Sequence, residues 1–101
     1  MPPLVASKAG YVYLVTCPNR MYAKFGRWSN SLRSLKARYN TYYGKPEVVA
    51  LWVDDAKEME ARVRERVAAE RLQLFADKRV ELVQCTPRMQ ELFAQTVGLS
   101  N

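Results

Sequence analysis

Histidine is missing from the 101-residue chain. With it go the usual general base at neutral pH and the commonest side-chain metal ligand. Cysteine is nearly missing. Cys17 and Cys85 are the two present, too few for a disulfide framework or a structural zinc site, and they read as reduced thiols of a cytoplasmic-type compartment. No apolar run approaches the roughly 20 residues needed to cross a bilayer. The opening "MPPLVASKAG" lacks a basic segment followed by an apolar one, so neither membrane insertion nor a leader is expected. Acids are absent over a long stretch. Residues 1–46 hold Lys8, Arg20, Lys24, Arg27, Arg33, Lys36, Arg38 and Lys45 and no Asp or Glu. The remainder carries the other eight of 16 bases and all 10 acids, so the formal charge runs from +8 to −2.

What is present sharpens that asymmetry. All six tyrosines (11, 13, 22, 39, 42 and 43) fall in the acid-free part. A field of one sign interleaved with phenols suits a phosphate backbone, because cations displace counterions while phenols donate hydrogen bonds or stack on bases. The plainer reading is a solvated basic surface that aids solubility. A hydrophobic content of 49% with 26% charged residues places the chain among folded proteins rather than disordered ones. Its length suits one domain, residues 1–101.

Patterning predicts β-β-α-β-α-(β)-α, a small α+β fold. Its mostly antiparallel sheet has three to four strands, flanked by three helices. "YVYLVT" (11–16) is apolar on both faces, as a central strand would be. "CPNR" (17–20) turns the chain and "MYAKFG" (21–26) returns it as the hairpin partner. Ser29 is the expected cap of a helix to about Tyr43 with Leu32, Leu35 and Tyr39 inward. "EVVALWV" (47–53) reads as a strand. Asp54 and Asp55 then cap a helix with Met59, Val63 and Val67 inward, continuing towards Phe75. "RVELVQ" (79–84) is a short strand or extended connection. Thr86-Pro87 opens a last helix that buries Met89, Leu92, Phe93 and Val97.

"YVY" (11–13), followed after ten residues by "KFG" (24–26), resembles the paired motif of the GIY-YIG nuclease superfamily. "KFGRWSNSLRSLKARYNTYYG" (24–44) is similar to its second motif and arginine helix. "EVVALWVDDAKEMEARV" (47–63) resembles the strand leading into its glutamate helix, and "FADKRVELVQCT" (75–86) the end of its compact phage and viral branch. The likeness spans residues 10 to about 86. It implies a metal-dependent DNA endonuclease, hydrolysing phosphodiester bonds with Mg2+ or Mn2+ and no small-molecule cofactor. The location implied is cytoplasmic, or the host-cell cytoplasm or nucleus for a viral protein. Specificity would come from the hairpin and helix surface, from a second copy, or from a partner chain.

The resemblance implies roles for named residues, each with a plainer alternative. Tyr13 matches the first-motif tyrosine; otherwise it fills a half-buried strand site. A phenol titrates near 10, so a cation such as Arg27 would be needed to make it a base. Gly26 either admits a phosphate to the backbone or ends the hairpin. Lys24 stands where the family has its second tyrosine, a departure that substitutes a point charge for a phenol, with Tyr22 as a stand-in. For the helix arginine, Arg38 lies beside the buried stripe and four before Tyr42, where guanidinium and phenol can share a phosphate. Arg33 fits the family's spacing from the glycine. Glu60 matches the metal-binding glutamate, and one carboxylate with phosphate oxygens and water is a normal magnesium set. Alternatively Glu60 pairs with Arg64, as Glu58 does with Arg62. Glu70 and Glu81 are outlying candidates, and Gln84 is the available late polar partner. Tyr11, Lys24, Gly26, Arg33, Lys36 and Tyr42 complete the expected nucleic-acid surface. The competing functions are a non-cleaving nucleic-acid-binding module of the same fold and a small interaction protein whose basic half meets an acidic partner.

Overall fold

The computed structural model describes residues 8–16, 22–43, 46–73 and 82–98, with only the backbone at 42 and 43. The chain order is β1 (Gly10–Thr16), β2 (Tyr22–Trp28), α1 (Leu32–Tyr43), β3 (Glu47–Val53), α2 (Ala56–Ala69), β4 (Leu82–Gln84) and α3 (Pro87–Val97). The strands form one antiparallel sheet in the order β3-β1-β2-β4. This is the expected α+β architecture. The strand that is apolar on both faces, β1, lies inside the sheet with a partner on each side.

Strand alternation divides the core in two. Val12 and Leu14 of β1, Ala23 and Phe25 of β2, and Val83 of β4 face α2 and α3. There they meet Val63 and Val67 together with Met89, Leu92, Phe93 and Val97. Full burial of each such aliphatic or aromatic side chain contributes about 1.5–3 kcal/mol. On the other face Tyr13 and Val15 meet only Leu35 and Tyr39 of α1 among the buried described residues, with Tyr22, Trp28, Val48 and Ala50 packed around them.

The local signals explain the element ends. The backbone N–H of Ser34 donates to Ser31 Oγ at 3.1 Å, and that of Leu35 donates to Ser31 O at 3.1 Å. Ser31 therefore caps α1, two residues later than the expected Ser29, because β2 continues to Trp28 before the chain turns. Asp55 accepts from the Glu58 N–H at 3.0 Å and caps α2. That helix stops at Ala69 rather than running on, and Arg71 at φ 55° turns the chain so that Leu72 is buried. Phe75, Arg79 and Glu81 lie outside the described residues. Thr86 accepts from the Met89 N–H at 3.2 Å ahead of Pro87, as expected for α3. Arg88 ties the helix ends together, donating to both carboxylate oxygens of Glu70 at 2.7 and 2.6 Å and to Glu91 at 2.7 Å.

Candidate active site

The site grows from one cross-strand pair. Tyr13 of β1 lies opposite Gly26 of β2, so both face α1. A Cβ built on Gly26 would fall 2.6 Å from the Tyr13 hydroxyl oxygen and 2.9 Å from its Cζ. Only glycine leaves room for the phenol to lie across the neighbouring strand, which is what position 26 requires of its residue type.

Helix α1 completes the pair with a second phenol. The hydroxyls of Tyr13 and Tyr39 share a hydrogen bond of 2.6 Å, and their rings lie 5.5 Å apart at 51°. Cations border them. The Arg38 guanidinium sits 5.5 Å over the Trp28 ring and 5.9 Å over the Tyr39 ring. Lys24, two residues before Gly26 and on the same strand face, places its ammonium 5.9 Å over the Tyr39 ring. Such placements are favourable by about 0.5–1 kcal/mol each at exposed sites. They also hold two positive charges beside a hydroxyl pair.

Glu60 is felt at this cluster as a charge, the weakest of the influences on Tyr13. It belongs to α2, on the sheet face opposite α1, yet its charge acts on the Tyr13 phenol. Its side chain is only 13% exposed and accepts from Arg64 Nη2 at 3.1 Å. Burial, first, then the hydrogen bond to Tyr39 and the charges of Tyr39 and Glu60, hold the Tyr13 hydroxyl well above the ordinary phenol range; Arg38 opposes them. At neutral pH Tyr13 is therefore a neutral hydrogen-bonding group.

This geometry corrects the expected role of Arg27. The register sets Arg27 opposite Val12, on the α2 face, because one residue along a strand reverses the side. It is exposed and lines a groove of about 840 Å3 with Lys8, Trp28, Asp55, Lys57 and Glu58. The cation that acts on Tyr13 is Arg38. Between the two helix arginines, Arg38 is the one in the aromatic cluster; Arg33 and Lys36 are exposed on α1. Tyr11 is on the Tyr13 face, opposite both Trp28 and Trp52. Tyr42 lies in α1 one turn after Arg38, its side chain outside the described residues. Tyr22 is paired with Gln84 in the β2–β4 ladder and packs beside the Tyr13 cluster.

Two residues of the cluster carry no functional expectation in the sequence reading. Tyr39 reads there as a buried spacer, although a buried tyrosine needs a partner for its hydroxyl. Trp28 falls two after Gly26, the spacing that returns a strand to the same face.

Among the described residues no group of three Asp, Glu, His or Cys converges as a metal cage. Glu60, whose charge is felt at Tyr13, provides a set of one carboxylate. That set suits a magnesium ion completed by substrate phosphate and water rather than a protein-enclosed one. Glu70 is committed to Arg88 through both oxygens. No helix is long and apolar enough to cross a membrane among the described residues. No family model, curated protein or solved structure matches the chain.

Proposed function

We propose that the protein is a metal-dependent endonuclease that hydrolyses DNA phosphodiester bonds with Tyr13, Arg38 and Glu60. One observation carries this reading: the Tyr13 phenol of β1 lies across Gly26 of β2, is hydrogen-bonded to Tyr39 of α1, and feels the charges of Arg38 of α1 and Glu60 of α2. The reading is the one that the GIY-YIG resemblance implies.

Residue roles follow from the chemistry. Lys24 and Arg38 hold the phosphate, and the Arg38 guanidinium offsets charge gathered on the non-bridging oxygens during attack. Tyr13, kept neutral, donates its proton towards Tyr39 and accepts a hydrogen bond from the attacking water, fixing that water in line. The water oxygen bonds to phosphorus, the P–O3′ bond breaks, and the proton released passes to the departing oxygen or to solvent. Gly26 leaves space for the Tyr13 ring, which fills it in place of a phosphate. Glu60 would hold Mg2+ or Mn2+, which when bound supplies Lewis-acid stabilisation of the leaving oxygen.

A second reading is favoured by the Glu60–Arg64 pair, which occupies the carboxylate: a module of the same fold that binds nucleic acid without cutting. Nicking of supercoiled plasmid with Mg2+ or Mn2+ decides between them. The nuclease reading expects nicks from the unaltered protein, lost in Glu60→Ala and Arg38→Ala while salt-dependent DNA binding survives. Binding without nicks from the unaltered protein under either metal would overturn it.

A further inference from the structure

Three aromatic residues stand in one line of register across the sheet. Trp52 of β3 is opposite Tyr11 of β1, and Tyr11 is opposite Trp28 of β2. The line lies one same-face step from Tyr13 towards the Gly10 end, about 6.6 Å along β1, with Trp28 packed at the edge of the buried cluster that α1 covers. Trp52 is 54% exposed, and Tyr11 and Trp28 are partly exposed. All three rings make defined contacts. Tyr11 meets Trp52 edge to face at 5.0 Å and 80°. The Trp28 indole N–H donates to Ser31 O at 3.1 Å and Ser34 Oγ at 3.0 Å.

We propose that this row is a stacking site for unpaired nucleobases of a single strand adjoining the phosphate at Tyr13 and Arg38. It deepens, and rests on, the nuclease reading in placing that phosphate there, and it names the substrate class as unpaired strand rather than intact duplex. Planar rings with little rotamer freedom accept any base on their π-faces. Intact duplex keeps its bases stacked internally and offers them no face. Charge selects the same occupant. Arg38 lies directly over Trp28, Lys24 is on the same sheet face, and the groove that Trp28 lines holds Lys8, Arg27 and Lys57 against Asp55 and Glu58. An apolar peptide would fill the row without using those cations, and a second copy of this basic chain would bring like charge against them.

The row contains both tryptophans of the chain, so intrinsic fluorescence reads its occupancy directly. The experiment titrates the full chain, without divalent metal, with oligo-dT, oligo-U and a duplex of equal phosphate number at one ionic strength. Single strands are expected to quench the emission more than duplex does. Trp52→Ala is expected to weaken single-strand binding about tenfold, leaving duplex affinity and its salt slope unchanged. Trp52→Phe, which keeps a ring, is expected to retain most of the affinity, and melting curves check that both variants fold. Equal response to oligo-dT and oligo-U, with the weaker response to duplex, is the expected result for stacking on ring faces; a preference for one adds the 2′-hydroxyl or the thymine methyl as a further determinant. The proposal is overturned if duplex and single strand quench alike, if Trp52→Ala binds single strands as the unaltered protein does, or if that variant changes only the oligomeric state. Failure of the nuclease reading is a different result: quenching intact, nicking absent.

Discussion

The ring of Tyr13 lies across Gly26, its partner on the neighbouring strand, so closely that a methyl group at position 26 would fall 2.6 Å from the phenolic oxygen. Tyr13 is 4% exposed and bonded to Tyr39, so it has no free space into which to swing. Gly26→Ala is expected to fold with a loss of about 1–3 kcal/mol. Nicking should fall about a hundredfold, because a misplacement near 1 Å costs that much in a positioned site. Thermal melting and plasmid nicking on the same preparation check it; unchanged nicking would show that the phenol's position is immaterial.

The Tyr13–Tyr39 bond predicts non-additive energetics. Tyr13→Phe and Tyr39→Phe should each cost about 1–3 kcal/mol, since each breaks the hydrogen bond between two buried hydroxyls. The double variant should cost less than the sum of the two. Denaturant unfolding of the four proteins measures the coupling, and strict additivity would deny it.

Alkaline pH should expose the perturbed phenol. Because the folded-state value of Tyr13 is raised, the stabilisation is complete below the unfolded phenol's value near 10 and falls as pH rises above it. The unfolded chain has then lost a proton that the folded chain retains. The slope from one such group is about 1.4 kcal/mol per pH unit. Tyr13→Phe should flatten the fall by that amount in parallel unfolding curves, the other tyrosines and lysines being common to both proteins. In Tyr39→Phe the phenol of Tyr13 should titrate earlier, as seen in ultraviolet titration.

Glu60 and Arg38 should matter for chemistry and little for folding. The Glu60–Arg64 pair is an i,i+4 contact on a partly exposed helix face, worth about 0.3–0.5 kcal/mol. Glu60→Gln should therefore move unfolding by no more than about 0.5 kcal/mol, and Arg38→Ala by about 0.5–1 kcal/mol. Loss of nicking in both, with Tm nearly unchanged, is the expected result. A large drop in Tm would assign these residues to the fold.

The fold was legible where one rule decided each element. The doubly apolar "YVYLVT" could be buried only inside a sheet, and Thr86-Pro87 supplied a cap and a pre-set φ for α3. The hairpin that carries Tyr13 and Gly26 was legible from the turn between its strands, and the place of Arg38 from the buried stripe beside it. Register was the harder quantity. Treating Arg27 as a neighbour of Tyr13 followed proximity in sequence to Gly26, but the pleat sends adjacent residues to opposite faces. Nothing in "GRWSNS" marks where β2 ends, so Ser31 is not distinguished from Ser29 as the α1 cap. The role of the Tyr39 hydroxyl is not legible in the sequence, since helical periodicity reports which side chains are inside, not which of their atoms remain to be satisfied.

The two unequal cores set different lifetimes for the two halves. Leu35 and Tyr39 are the buried residues by which the described part of α1 holds to the sheet, whereas α2 and α3 share a much larger apolar layer. Opening of α1 is therefore a local excursion, well short of global unfolding. Its amides should exchange with deuterium faster than those of α2 and α3. Each excursion would uncover the Tyr13 hydroxyl to water while the rest of the molecule stays shut.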